Sequence, residues 1–493
     1  MNFLEIFSEI NKIPRPSHNE QKIADYLCQF ATNHGLKYRR DAENCVVIEK
    51  PASPGYENAE PVVILNHMDM VCVAKDGYLR DGHPYDPLTD EIRPYIDEVT
   101  NADGTVTRWM KAEGTSLGAD NGMGLSMALA ILADDSIIHP AIEALTTTNE
   151  EDGMTGAEAL SIDFIKGRKI INLDSEAFNE ITVGAAGAYL QVAEWTAERK
   201  PMQSEGKSFF RITIDGGLGG HSGVDINKRR CNCNKEMADF FISTLDNQIA
   251  WHIDFCSLNG GTANASIASW AEAVVAIPIA NANDIKASVT AWNESLKTKY
   301  AATDPSIKVR IEETTPSNYS IPCLRDVLAC LCQLPFGVQE MHKDMPGTVM
   351  TSNNIGVVKT DADTITVSCH TRSFSDDDMR ALGSSISNTF KANGAKKVQL
   401  LMDTPAWFER EDSPLLALTC NTFKEVLGFQ PKKVAMHFVL EAAYYVQKYP
   451  GVEIASIGPL IIEPHSTSER VDLATAEKIW LVTIELLKRL ANV

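Results

Sequence analysis

The chain has 493 residues, 44% of them hydrophobic and 23% charged, and a formal net charge of −21 from 45 basic and 66 acidic side chains. That length exceeds one ordinary core and predicts two or three domains, while the acidic balance excludes nucleic acid and anionic membrane surfaces as natural partners. No run of about 18 apolar residues offers a membrane span, and the opening MNFLEIFSEINKIPRPS has Glu5 and Glu9 where an export signal would be positive, so a cytoplasmic protein is expected.

NFLEIFSEINKI reads as a helix stopped by Pro14 and Pro16, followed by a second helix for which Ser17 is a plausible N-cap, with Glu20 completing a capping box. CVVIEK, PVVILNHMDMV, AIEALTTTNEE and KIINLDSE read as buried strands, with GMGLSMALAILAD (122–134) as a helix among them. Strands alternating with helices predict an α/β sheet covered by helices. The pattern changes near Val183–Ala188, VGAAGA, after which half-buried strands such as SFFRITIDGG and ASWAEAVVAIPIA appear. From about residue 400 the earlier style returns: a helix from Ser413, the strand GVEIASIG and a last helix, Ala474 to Ala491. The expected organisation is a catalytic α/β domain made of 1–186 and 402–493, interrupted by an α+β insertion, 187–401. The eleven cysteines read as reduced thiols, and neither Cys231/Cys233 nor Cys330/Cys332 has C-x-x-C spacing, so structural zinc is not expected there.

The ends of the apolar strands share one chemistry. VVILNHMDMV carries His67 and Asp69, GTSLGADNGMG carries Asp120 at a glycine-rich turn before a helix, and TTTNEEDG carries Glu150 and Glu151. KIINLDSE carries Asp174, and IGPLIIEPHSTSERV carries His465 in a loop. Sites in open α/β sheets lie beyond the carboxyl ends of the strands. Imidazole and carboxylate are the usual non-thiolate ligands of zinc, and five such residues can serve two ions if one carboxylate bridges. Two carboxylates are then left over: Asp69 could hold His67 in the right tautomer, and one of the paired glutamates could take a proton from water. Each residue alone is more often structural, and GADNGMG lacks the Lys-Ser/Thr of a phosphate loop. Spatial convergence is what the sequence suggests without showing.

NHMDMV, GTSLGADNGMG, TTTNEEDGMTGA, INLDSE, GGHSGVDI and IGPLIIEPHSTSERV together resemble the aminoacyl-histidine dipeptidases, also called Xaa-His or cytosolic non-specific dipeptidases. These belong to a wider set of two-zinc exopeptidases and deacylases that includes carnosinases and aminoacylases, and the resemblance runs from about Ile10 to Leu490. It implies hydrolysis of dipeptides with a free C-terminus, using two divalent ions, zinc first and cobalt or manganese as alternatives. It assigns Asp120 as the bridge, His67 and Asp174 to one ion, Glu151 and His465 to the other, Asp69 as the partner of His67, and Glu150 as general base. A cis peptide is implied between Asp120 and Asn121, and a lid interrupting the catalytic domain. From the lid, His221 in LGGHSGVDI would stabilise the substrate oxyanion, Arg372 in VSCHTRSFSDD would clamp the terminal carboxylate, and Asn264 in GGTANAS would contact substrate. The same resemblance implies a homodimer.

The chain also departs from the family pattern. VDINKRRCNCNK and NASIASWAEA differ from the usual stretches, and HFVLEAA places Val439 where the family has a glycine. These changes bear on the substrate pocket and leave the metal residues untouched. The competing readings are an N-acyl amino acid deacylase or amidase with the same two-metal site, and a non-catalytic metal- or peptide-binding relative, which would have no need for Glu150 beside Glu151.

Overall fold

A computed structural model describes residues 2–247 and 252–492. The chain divides into two compact units, the first made of 1–184, 408–435 and 441–493, the second of 185–407 and 436–440. The first combines parallel and antiparallel strands with helices, and the second sets helices against an antiparallel sheet.

The first unit is built on a mixed sheet whose middle runs Val46–Lys50, Ile142–Thr147, Val62–His67, Lys169–Asn172, Glu453–Ser456. Val62–His67 is parallel to both neighbours, and Lys169–Asn172 is parallel to Glu453–Ser456. The residues of Val62–His67 and Ile142–Thr147 are buried throughout, as strands covered on both faces must be. Parallel register places the ends of three strands together: His67, Thr147 and Asn172 all exit at one edge. The Ala119–Ala133 helix is also buried on all sides, which explains its lack of amphipathic pattern. The core joins Phe7, Ile23, Leu27, Ile64, Met123, Leu129, Phe423, Ile479 and Leu486.

One expected cap is wrong, although the helix itself is present. The second helix runs Gln21–Asn33 with Glu20 at its cap position, and Ser17 does not cap it. Ser17 Oγ instead donates to Asp69 Oδ2 at 2.8 Å, and Glu20 Oε1 accepts from the backbone of His18 and Asn149. The capping signature was satisfied by tertiary partners.

The second unit carries an antiparallel sheet ordered Lys308–Glu313, Lys207–Asp215, Ala271–Pro278, Asp254–Gly260, Val349–Thr360, Thr364–Ser373, Gly187–Thr196, Lys397–Thr404. Two halves meet where Gly260 pairs with Val358, each with its own helices, so the insertion is two α/β halves sharing one sheet. Its core gathers Trp195, Phe210, Phe241, Phe255, Val275, Leu328 and Phe390.

Candidate active site

His67 ends its strand, and Asp69 lies just past that end, so a turn rather than strand alternation brings them together. His67 Nδ1 lies 3.3 Å from Asp69 Oδ1 and 3.2 Å from the Asp69 carbonyl oxygen. With Nδ1–H held by two acceptors, Nε2 is left with its lone pair facing the site. Asp69 is fully buried and serves more than the histidine: it accepts from the backbone N–H of Glu150 (3.1 Å) and Glu151 (3.2 Å) and from Ser17. One carboxylate therefore sets the orientation of His67 and of the chain at both paired glutamates, Glu150 and Glu151.

Asp120 sits at the start of the Ala119–Ala133 helix, but its own backbone is non-helical (φ −83°, ψ 112°), and the Asp120–Asn121 peptide is cis. Its two oxygens face opposite partners. Oδ1 lies 3.3 Å from His67 Nε2, which is also 3.3 Å from Asp174 Oδ1. Oδ2 lies 3.3 Å from His465 Nε2, which is 2.8 Å from Glu151 Oε2. His67, Asp120 and Asp174 form one group able to hold a cation, and Asp120, Glu151 and His465 another, the donor atoms of each lying within 4.8 Å of one another. Among the described residues these two sets, and no cysteine set, have that property. Asn121 Nδ2 donates to the Leu173 carbonyl at 2.7 Å and to Asp174 Oδ1, fixing the Asp174 side chain. His465 is held in a left-handed backbone (φ +58°), a conformation a non-glycine residue adopts at a cost and one common at sites.

The electrostatics describe a cluster that requires positive charge. Burial by itself would lower the His67 imidazole, but Asp174, Asp120 and Asp69 push it well above its ordinary value. His465, bonded to Asp120 and Glu151, is raised to about 11. Burial raises Glu151, with His465 opposing, and leaves its Oε1 buried without a hydrogen-bond partner. Burial also pushes Glu150 well up, opposed by His67 and helped by Asp174, Glu151 and Glu441. Glu150 belongs to neither cation group, although it adjoins Glu151. The donor chemistry, the shared Asp120 and the orphaned Glu151 oxygen fit divalent cations, which satisfy such oxygens and reverse the local charge balance.

The second unit assembles its own polar cluster. The His221 N–H donates to Asp225 Oδ2 at 2.8 Å, and His221 Nδ1 accepts the N–H groups of Gly223 (3.3 Å) and Val224 (3.2 Å). That pattern assigns the ring proton to Nε2, making it a donor, and burial with Arg372 nearby keeps the ring neutral. Arg372 is buried, is lowered to about 10 by that burial, and bonds Ser222 Oγ, with Nε and Nη2 each at 3.3 Å. Among the described residues it has no carboxylate partner, so a buried guanidinium is available to an anion. Asn264 lies in a separate loop that the Ser222 N–H joins by donating to the Ala265 carbonyl at 2.7 Å, and its own carbonyl accepts from Asn354 Nδ2 at 3.4 Å. His437 Nε2 bonds Ser352 Oγ at 2.8 Å, and Phe438 packs edge-on to His221 at 6.2 Å. Val439 follows and does not have positive φ.

Sequence reasoning missed Glu441, which is buried and raised to about 8 by burial, then by Asp174 and Asp69 against Thr147 and His67. It also missed Arg15, Ser17 and Glu469. The signal was weak: each is a common residue type in a polar stretch.

A scan against protein-family models finds no match. A cytosol non-specific dipeptidase of Escherichia coli is 32% identical over 488 residues, 99% of this chain and 97% of that protein. The crystal structure of aminoacylhistidine dipeptidase from Vibrio alginolyticus superposes with a TM-score of 0.88 at 32% identity, covering 99% of this chain and 96% of that one. A tripeptidase from Staphylococcus aureus, at 14% identity and a TM-score of 0.59 over 100% of this chain and 98% of its own, shares the fold. Identity sustained from end to end, through both units, means that the chain belongs to the family of aminoacyl-histidine or cytosol non-specific dipeptidases, enzymes that hydrolyse dipeptides with divalent metal ions.

Proposed function

We propose a two-metal dipeptidase of cytoplasmic setting in which zinc is held by His67, Asp120 and Asp174 on one side and by Asp120, Glu151 and His465 on the other. The observation that carries this is the division of Asp120: Oδ1 faces one histidine and Oδ2 the other, both at 3.3 Å. Bound divalent ions supply Lewis acidity toward the peptide carbonyl and make water a better nucleophile at neutral pH. Glu150, unused by either ligand group, accepts the proton of the attacking water and returns it to the departing amine. Asp69 keeps His67 Nδ1 protonated and so keeps Nε2 a ligand.

His221 donates from Nε2 to the carbonyl oxygen as negative charge develops, a role that its two backbone partners on Nδ1 support. Arg372 receives the substrate's terminal carboxylate, and Asn264 contacts the bound dipeptide. The burial of the guanidinium, without a carboxylate partner among the described residues, supports this, because a bidentate carboxylate would pair its charge. Cytoplasmic setting rests on the cytosolic relative, and a homodimer on resemblance alone. The test is hydrolysis of unblocked dipeptides beside N-acetyl amino acids, before and after chelation and zinc readdition. Chelation should abolish dipeptide hydrolysis and two zinc ions per chain should restore it. Full activity of rigorously metal-free protein, or faster turnover of N-acetyl amino acids, would defeat the reading.

A further inference from the structure

Two buried charges of opposite sign surround Asp120 without touching each other's charge or any reacting group. Glu469 is 3% exposed. Its Oε2 accepts the N–H groups of Leu117 (2.7 Å) and Gly118 (2.9 Å), and its Oε1 that of Ala119 (2.7 Å), with Asp120 N at 3.5 Å. The Ala119–Ala133 helix has glycine at its cap position and no side-chain cap of its own. A carboxylate from roughly 350 residues away in sequence takes that place, where unsatisfied donors and the helix dipole favour an anion. Glu469 stands four residues after His465, at the end of the next turn, which its N–H closes by donating to the Ser466 carbonyl at 3.2 Å. The segment that carries His465 is thus tied to the loop that carries Asp120.

Arg15 does the corresponding work on the other side. It is 1% exposed and, among the described residues, makes no ion pair. Its Nη1 donates to the carbonyls of Met68 and Asp69, each at 3.1 Å, and its Nη2 to the Gly118 carbonyl at 2.7 Å. The loop after His67 is thereby joined to the same Gly118 peptide that Glu469 grips by its N–H. Space for the guanidinium is made by glycine: a Cβ on Gly118 or on Gly122 would lie 2.6 Å from Arg15 Nη2. Gly118 also has φ +69°, so two constraints select glycine there.

We propose that Glu469 and Arg15 are positioning residues for metal binding, which together hold three ligand-bearing segments — those of His67, Asp120 and His465 — at the spacing a shared Asp120 requires. The proposal rests on the five-ligand reading above. Neither residue reaches a metal ligand's side chain, so each acts through backbone: Glu469 through donors, Arg15 through acceptors.

Glu469→Gln tests it, because the amide must turn an NH₂ toward backbone donors that need an acceptor. Glu143 is the comparator: also buried, it accepts Lys166 N (2.7 Å) and Gly167 N (2.8 Å) through Oε2 alone, with Oε1 3.7 Å from Arg39, so Glu143→Gln removes a buried negative charge elsewhere in the unit without touching a ligand segment. Zinc dissociation constants are measured by chelator competition on the full chain, together with the melting temperature of chelated protein. Glu469→Gln should weaken zinc by about 10–100-fold, the usual scale for residues that orient ligands, and Arg15→Lys should weaken it in the same direction. Glu143→Gln should leave zinc affinity within about twofold of wild type. Equal zinc affinity in wild type and Glu469→Gln, or equal weakening by Glu143→Gln, would overturn the proposal. Glu469→Asp, which keeps the charge and withdraws it by one methylene, replaces Glu469→Gln if that variant does not fold. Failure of both to fold would assign Glu469 to the fold and also overturn it. Wild-type protein that binds no zinc would bring down the five-ligand reading itself, a result distinct from equal affinity in the two proteins.

Discussion

Replacing Asp69 by asparagine changes one oxygen to an NH₂ in a site where every neighbour is a donor. Oδ1 serves Glu150 N–H and His67 Nδ1–H, and Oδ2 serves Glu151 N–H and Ser17 Oγ–H. The amide oxygen will keep the Glu150 and His67 side, where two fixed donors converge. Ser17 can rotate its hydroxyl and accept from the new NH₂, but Glu151 N–H cannot. One buried backbone donor is left unpaired, at about 1–3 kcal/mol, or roughly 5–150-fold in a rate or binding constant. His67 keeps its tautomer, because the Asp69 carbonyl at 3.2 Å also accepts from Nδ1. The expected result is a loss of about 10–100-fold in kcat/KM on an unblocked dipeptide, with weaker zinc at the Glu151 side, in line with other residues that orient ligands. The assay is steady-state hydrolysis at saturating zinc beside metal content after dialysis, and ¹⁵N NMR of His67 reports the tautomer. Asp69→Asn with activity within threefold of wild type and both metals retained would refute the argument. A switched His67 tautomer would show that the carboxylate, not the carbonyl, holds the ring.

Glu150→Gln should keep both metals and lose about 10²–10⁴-fold in kcat, whereas Glu151→Gln should lower metal content; atomic absorption beside kinetics separates them, and the opposite pattern would exchange the two roles. Arg372→Met should raise KM for free dipeptides and narrow their advantage over C-terminally amidated ones, and an unchanged preference would remove Arg372 from carboxylate recognition. Val439→Gly should speed Ala-Xaa dipeptides with bulky second residues selectively, and identical profiles on a panel would show that Val439 does not shape the pocket. His437, depressed to about 3, and His370, held well below its ordinary 6.5, are both lowered by burial first and then by Arg372 and His221. The unfolded chain therefore binds more protons than the folded one below about pH 6.5; stability is full above that pH and falls beneath it by about 1.4 kcal/mol per pH unit for each ring. Urea midpoints at pH 7.5, 6.5 and 5.5 check this, and a double His370→Gln/His437→Gln variant with an unchanged slope would refute it.

Periodicity exposed the strands around the site because parallel strands buried on both faces must be continuous apolar runs, as VVILNH and IEALTT are. Ser17 shows where local signals mislead: Ser followed three residues later by Glu matches a capping box, yet both side chains hold the Asp69 and Asn149 regions. The roles of Glu469 and Arg15 have no local signature at all, since their partners are backbone groups rather than a recognisable residue type.

The sequence by itself determined the chemistry available to this protein. Two histidines and a set of carboxylates stand at the ends of apolar strands and turns, two glutamates stand side by side, and glycines at 118 and 122 leave room for Arg15 beside the helix that carries Asp120. Tertiary structure alone decided which oxygen of Asp120 faces which histidine, with His67 and His465 separated from it by 53 and 345 residues. It alone decided that one carboxylate, Asp69, would serve four donors, and that a buried arginine in the second unit would have no acid beside it among the described residues. The physical reason is range: propensity and periodicity act over a few residues, whereas a metal or substrate site is made by directional contacts between segments that only the packed chain brings together.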